Sequence, residues 1–185
     1  MNERGRLIVI SAPSGAGKGT VIERLLKLRP EIVMSVSATT RAPREGEKDG
    51  EAYHFIDTEK FLRMIRGGDF LEYAEYVGDY YGTPKKPVLD AIDAGKDVLL
   101  EIEVQGARQV IDIMPGAMTI FIVPPSMEEL ERRLRGRGTD SEDKLAARLL
   151  QAKTELGHKS EYTNIVVNDD IERAVTEIIE ILDNT

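Results

Sequence analysis

The segment Ala12-Pro13-Ser14-Gly15-Ala16-Gly17-Lys18-Gly19-Thr20 constrains this chain more than any other, because of what lies on either side of it. Ahead of it, Leu7-Ile8-Val9-Ile10 is a short continuous apolar run, the pattern of a strand buried on both faces. Behind it, Val21, Ile22, Leu25, Leu26 and Leu28 recur at helical spacing until Pro30. Strand, Gly-rich turn and helix in that order form a βα unit. Glycines let backbone N–H groups turn inward around an anion, and the helix N-terminus adds partial positive charge. Lys18 is placed to reach the outer phosphates of a nucleotide. The run departs from the pattern G-x-x-x-x-G-K-[ST] twice. Ala12 stands for the first glycine, and Gly19 for the hydroxyl residue, so that a hydroxyl appears only at Thr20.

Further along, Val98–Val104 and Met118–Val123 read as buried strands, the second stopped by Pro124-Pro125. Glu101 and Glu103, two apart on the first of these, are expected on one face, at the carboxyl end of a strand where α/β sheets gather ligands. Ser126 is the expected N-cap of the next helix, with Glu128 and Glu129 in its first turn. Ile165-Val166-Val167 predicts another strand. A final amphipathic helix carries Ile171, Ala174, Val175, Ile178, Ile179 and Leu182, with Asp169 and Asp170 placed to cap it. Strands separated by helices predict an α/β fold, a P-loop NTPase-type core with a mostly parallel sheet flanked by helices.

Two stretches break that rhythm. Residues 35–95 alternate strand-like pieces (Ser35–Ser37, Tyr53–Ile56) with turns and one short helix near Thr58–Arg66, and hold every tyrosine except Tyr162. They are expected to form an inserted lobe. The polar stretch Arg133–Arg148, with Gly136-Arg137-Gly138-Thr139-Asp140, is expected to be a flap between helices. The expected organisation is one domain over residues 1–185, with a core (1–34, 96–132, 159–185), a monophosphate-binding lobe (35–95) and a lid (133–158).

Composition narrows the class. Hydrophobic residues are 41% and charged residues 31% of 185, a globular balance. The net charge of −8 argues against a protein that grips a nucleic-acid backbone. No apolar run approaches the ~20 residues of a membrane span, and the first residues lack the pattern of a signal peptide. There is no cysteine, which fits a reducing, cytoplasmic setting. His54 and His158 lie far apart with no metal-ligand spacing.

The second ligand is read from the inserted lobe. Arg41 and Arg44, three apart beside a hydroxyl-rich run, suit planar, bidentate binding of a phosphate. Tyr53 and Tyr81 add phenolic donors. Glu72 follows Phe70-Leu71 on an otherwise apolar piece. A carboxylate there matches the N1–H and N2–H₂ donors of guanine, a pair that adenine lacks.

The ordered series S-x-S-x-T-T-R-x-P-R-x-G-E, D-G-x-x-Y-x-F, F-L-E and Y-Y-G-T resembles the guanylate kinase family across this lobe. L-E-I-E-V-Q-G, P-P-S, G-R-G-T and V-N-D-D extend the resemblance over essentially the whole chain. It implies transfer of the γ-phosphoryl group of ATP, with Mg²⁺, onto GMP, dGMP being left undistinguished. In the family, residues matching Ser37, Glu72 and Thr83 hold guanine. Those matching Arg41, Arg44, Tyr53 and Tyr81 hold the GMP phosphate, and Glu47 matches a brace of that site. Family members usually carry aspartates where this chain has Glu101 and Glu103. Glu103 matches a residue near the guanine. Glu101 and Thr20 are the implied contacts of the metal, largely through water. Arg133, Arg137 and Arg148 match flap arginines, and Asn168 a residue beside the adenine. The implied catalytic set is Lys18, Arg41, Arg137 and Arg148. Two other readings stay open: a related kinase acting on a ribose bisphosphate, which would not need Glu72, Tyr81 or Thr83, and a non-catalytic phosphopeptide-binding module, which typically lacks an intact phosphate loop.

Overall fold

The computed structural model of the protein describes residues 4–136 and 141–184. In chain order the elements are β1 (Leu7–Ser11), α1 (Lys18–Leu28), β2 (Val33–Met34), β3 (Ala38–Thr39), β4 (His54–Phe55), α2 (Thr58–Gly67), β5 (Phe70–Tyr76), β6 (Asp79–Pro84) and α3 (Lys85–Asp93). There follow β7 (Val98–Glu101), α4 (Val104–Ile113), β8 (Met118–Val123), α5 (Met127–Gly136), α6 (Glu142–Leu156), a 3-10 turn (Lys159–Glu161), β9 (Asn164–Val167) and α7 (Ile171–Asp183). The class is the expected one, α/β with a mostly parallel sheet flanked by helices. Among the described residues no helix is long and apolar enough to cross a membrane.

The chain divides into two compact units. One comprises Met1–Leu7, Ile32–Glu101 and Gln105–Ala117, the other Ile8–Glu31, Ile102–Val104 and Met118–Thr185. In the second unit β1 and β9 both run parallel to β8, with Ile8 opposite Met118 and Ile120 opposite Asn164. Every residue of β1 is buried, as its unbroken apolar run requires. Helix α1 turns Val21, Ile22 and Leu25 inward and packs against α7, which buries Ala174, Val175, Ile178 and Leu182. Asp170 caps α7 by accepting from Arg173 N at 3.0 Å, and Ser126 Oγ accepts from Glu129 N at 3.1 Å at the start of α5. Leu130, Leu134, Leu145 and Ala152 form a second core between α5 and α6.

The first unit holds the parallel pair β2–β7 and a four-stranded sheet in the order β4-β3-β6-β5. In that sheet β3 is parallel to β4, and β6 is antiparallel to both β3 and β5. Helix α2 lies over it. Asp57 caps its start by accepting from Lys60 N at 2.7 Å, and Gly68 ends it at φ 70°, where a side chain would be strained. Phe61 of α2 stacks on Phe70 (centroids 4.4 Å apart) and Tyr80 (5.4 Å). With Ala38 they make this unit's aromatic core.

Four local expectations are corrected. The run Val98–Val104 is a strand only to Glu101. Ile102 N still donates to Ile10 O at 3.3 Å, but Val104 opens α4, and Glu101 and Glu103 therefore do not share a strand face. The alternation was real, but Val104, Ala107 and Val110, all buried, repeat at helical spacing and win. Ser35–Ser37 is a connector between β2 and β3, in which Ser35 N donates to Leu99 O at 2.9 Å and Ser37 O accepts from His54 N at 2.8 Å without a continuous ladder. The flap expected over Arg133–Arg148 is mostly helix: Arg133–Gly136 finish α5, and α6 begins at Glu142 behind the Ser141 cap. Arg137 lies outside the described residues. Helices α3 and α4 have no counterpart in the sequence reading.

Phe61→Ala removes a fully buried ring from the small aromatic core. Urea unfolding is expected to show a loss of about 3–5 kcal/mol; a loss below about 1 kcal/mol would mean that this core does not hold the sheet.

Candidate active site

The phosphate loop is built around the Ala16–Gly17 peptide. Gly15 and Gly17 have φ of 92° and 89°, a left-handed region that other residues rarely adopt. Neither position has room for a side chain. A Cβ on Gly15 would come within 2.8 Å of Leu134 Cδ2, and one on Gly17 within 2.5 Å of Asn168 Nδ2. Asn168, 3% exposed, donates from Nδ2 to Ala16 O at 2.7 Å. Arg133 adds Nη1 to the same carbonyl at 3.3 Å and Nη2 to Asn168 O at 2.9 Å. A carbonyl held in this way from one side leaves the following N–H groups to face the other. Gly17 is the N-cap of α1 and supplies no side-chain acceptor, so the helix start keeps its affinity for an anion.

The basic side chains gathered at this loop are each held by a defined partner. Lys18 Nζ donates to Ile102 O at 3.2 Å and Glu103 Oε1 at 3.1 Å. Arg148 of α6 donates from Nη2 to Ser14 Oγ at 2.8 Å, which ties α6 to the loop. Arg133 is also braced by Glu129, one turn earlier on α5, at 2.8 Å. Arg132 and Arg133 together pull the Glu129 carboxyl down to about 2. Glu129 is a residue the sequence reading took only for helix-start charge. The i, i+4 spacing to Arg133 was the available signal. Thr20 and Gly19 are exposed on the first turn of α1. Glu101 is exposed at the end of β7.

The other unit holds the candidate acceptor residues. Arg41 makes a bidentate pair with Glu47, 2.9 Å at each arm, and donates to Ala42 O at 2.7 Å. Its guanidinium carbon lies 5.5 Å from the Tyr53 ring centre and 5.8 Å from that of Phe55. Tyr81 meets Tyr53 edge-on, with ring centres 6.0 Å apart. Glu47, chiefly, raises the Arg41 pKa above its ordinary value, with a smaller contribution from Tyr81. Glu47 in turn is lowered, first by Arg41 and then by the Arg44 N–H, which donates to Glu47 Oε2 at 2.7 Å. The Arg44 side chain is exposed. Ser37 is half-buried, its carbonyl accepting from His54 N at 2.8 Å.

Glu72 is the buried carboxylate of this unit, 8% exposed, and accepts from Thr83 Oγ1 at 2.6 Å. Burial raises its pKa, while hydrogen bonds from Thr83 act in the opposite direction. Gly106, in the first turn of α4, makes its room: a Cβ there would sit 2.8 Å from Glu72 Oε2. Nothing in the sequence reading singled out Gly106.

A family model described as guanylate kinase matches residues 4–185. The chain belongs to the guanylate kinase family. It is 54% identical over 174 residues to a guanylate kinase of Parasynechococcus marenigrum (strain WH8102), covering 94% of this chain and 96% of that protein. It is 51% identical over 179 residues to one of Synechocystis sp. (strain ATCC 27184 / PCC 6803 / Kazusa), covering 97% and 94%. Among solved structures it is similar to a guanylate kinase from Anaplasma phagocytophilum, at 41% identity and a TM-score of 0.76, covering 98% of this chain and 86% of that one. A shikimate kinase from Bacteroides thetaiotaomicron, 15% identical with a TM-score of 0.52 and covering 96% and 98%, shares the fold alone. Family membership thus agrees with the motif series from Ser35 to Asp170.

Because burial raises the Glu72 pKa, the folded state binds this proton more tightly than the unfolded chain does. The stability Glu72 contributes is therefore present below the ordinary carboxylate range and lost as pH rises through the raised value. Glu72→Gln is expected to gain on the parent across that window when both are unfolded in urea at a series of pH values. A stability difference that stays flat with pH would contradict the buried ionisation. Gly17→Ala is expected to displace Asn168 and to weaken nucleotide-triphosphate binding by at least about tenfold in calorimetry, since both φ and space forbid the methyl.

Proposed function

We propose that the chain transfers the γ-phosphoryl group of ATP to GMP, releasing ADP and GDP. Membership of the guanylate kinase family supports the reaction class. The observation that carries the acceptor is Glu72: a carboxylate that remains buried beside the Thr83 hydroxyl suits a ligand presenting two adjacent N–H donors, and guanine presents them. Ser37 completes the proposed base contacts. Arg41 and Arg44, with Tyr53 and Tyr81, are proposed to hold the GMP phosphate, and Glu47 to set the Arg41 guanidinium in place beforehand.

The donor's phosphates are proposed to lie on the loop of residues 12–20, on backbone N–H groups other than those of Pro13, which has none, and Ala16, which donates to Pro13 O at 3.1 Å, and on Lys18. Arg133 and Arg148 surround the transferring group, together with Arg137, assigned by motif match alone. Asn168 is proposed to act on the donor side through its hold on the loop. A GMP phosphate oxygen forms a bond to the γ-phosphorus as the bond from that phosphorus to the ADP oxygen breaks. No enzyme nucleophile is required. Alignment and neutralisation of charge supply the rate.

The proposed metal is Mg²⁺, which when bound offsets charge on the donor phosphates. Thr20 and Glu101 are hard oxygen donors, both exposed, and suit Mg²⁺ largely through water. Among the described residues no three His, Cys, Asp or Glu side chains come together as a metal cage. That donor set fits an ion arriving with the phosphates. The proposed place of action is the cytoplasm.

Lys18→Ala is expected to leave the unfolding transition near that of the parent and to lower kcat by about 10²–10³-fold in an ADP-release assay. Near-normal turnover would overturn the assignment of the loop. Glu72→Ala is expected to reduce the preference for GMP over AMP by at least about tenfold when each monophosphate is supplied in turn. Unchanged discrimination would remove guanine as the acceptor base.

A further inference from the structure

The Lys18 ammonium has two protein partners of different kinds. Ile102 O belongs to a backbone fixed by the bond from Ile102 N to Ile10 O. Glu103 is a side chain, 70% exposed, whose Oε1 lies 3.1 Å from an Nζ that is itself on a side chain only 13% exposed. The carbonyl holds the lysine's direction and the carboxylate screens its charge. An ion pair with one partner this open to water is weak and therefore easily displaced.

From this asymmetry we propose that Glu103 is an internal competitor for Lys18: its carboxylate and the donor's polyphosphate contend for the same ammonium, and so Glu103 holds down the affinity for both ATP and ADP. The proposal rests on Lys18 being the phosphate-binding lysine. It assigns Glu103 a role on the donor side, in addition to the guanine contact its motif position implies. ADP retains the phosphates nearest the loop, so a competing carboxylate acts on product as well as substrate. Glu103 thereby becomes a positioning residue that favours release of the spent donor. The carboxylate also repels a polyphosphate at short range, well inside the ~8–10 Å screening length of physiological salt. Ile102 O keeps the lysine aimed when the carboxylate lets go.

The test uses the full chain and Glu103→Gln, which preserves size and removes charge, alongside Glu103→Ala, which removes any new amide donor. Tripolyphosphate, which has no base, is titrated by calorimetry without metal. Both variants are expected to bind it about fivefold more tightly than the parent. The KM for ATP and the inhibition constant of ADP fall in parallel. Unchanged tripolyphosphate affinity in both variants overturns the proposal. So does tightening in Glu103→Gln alone, which would trace to the new amide. Lys18→Ala separates the premise from the inference. If it abolishes tripolyphosphate binding while the Glu103 variants change nothing, the loop reading stands and the competition does not. If Lys18→Ala binds like the parent, both fall.

Discussion

The Ala16 carbonyl is the point on which the donor half of the site turns. It is drawn to one side by Asn168 and Arg133, and the two flanking glycines permit the backbone to bend there without strain. An anion-binding loop needs its N–H groups aligned before the ligand comes, because reorienting peptide dipoles at the moment of binding would cost much of the interaction. Here the alignment is held by residues far apart in sequence. Asn168 follows β9, and Arg133 closes the last turn of α5. The buried amide of Asn168 fills the space a side chain at position 17 would need, so the loop conformation and the β9 end specify each other.

The acceptor residues follow a parallel logic with different chemistry. Arg41 is fixed by a bidentate carboxylate, a backbone carbonyl and two aromatic rings. Such a guanidinium has already given up much of its rotamer freedom, and a phosphate meets it in a defined orientation. Glu72 is held the other way, by exclusion of water and one short hydroxyl bond. In the proposed function the first group meets charge and the second meets a hydrogen-bond pattern. One is paired at the surface and the other is buried with a raised pKa, and each environment suits its proposed task.

Much of this was legible in the sequence because it depends on local pattern. The buried run of β1, the glycine turn and the apolar stripe of α1 are contiguous, β8 is another unbroken apolar run, and α7 carries a strong helical periodicity. The caps at Ser126 and Asp170 obey local hydrogen-bond rules. What could not be read depends on tertiary partners. Alternating glutamates suggested that β7 ran on to Val104, yet α4 takes that residue for its buried face. The polar composition between Arg133 and Arg148 concealed the last turn of α5 and the start of α6, whose short apolar stripes find each other only in the folded chain. Neither the pairing of Glu103 with Lys18 nor the support of Arg148 by Ser14 leaves a trace in spacing, since 85 and 134 positions separate the partners.

Gly106 carries an evolutionary consequence. Its missing side chain leaves the space that the Glu72 carboxylate occupies, so a methyl at 106 would press on Oε2 and shift it. A lineage that acquired alanine at 106 would be driven toward a shorter acid at 72, and with it toward a displaced recognition point for the base. Under the role proposed for Glu72, the repertoire of monophosphates open to such a descendant is shaped by a helix position that contributes no functional group of its own.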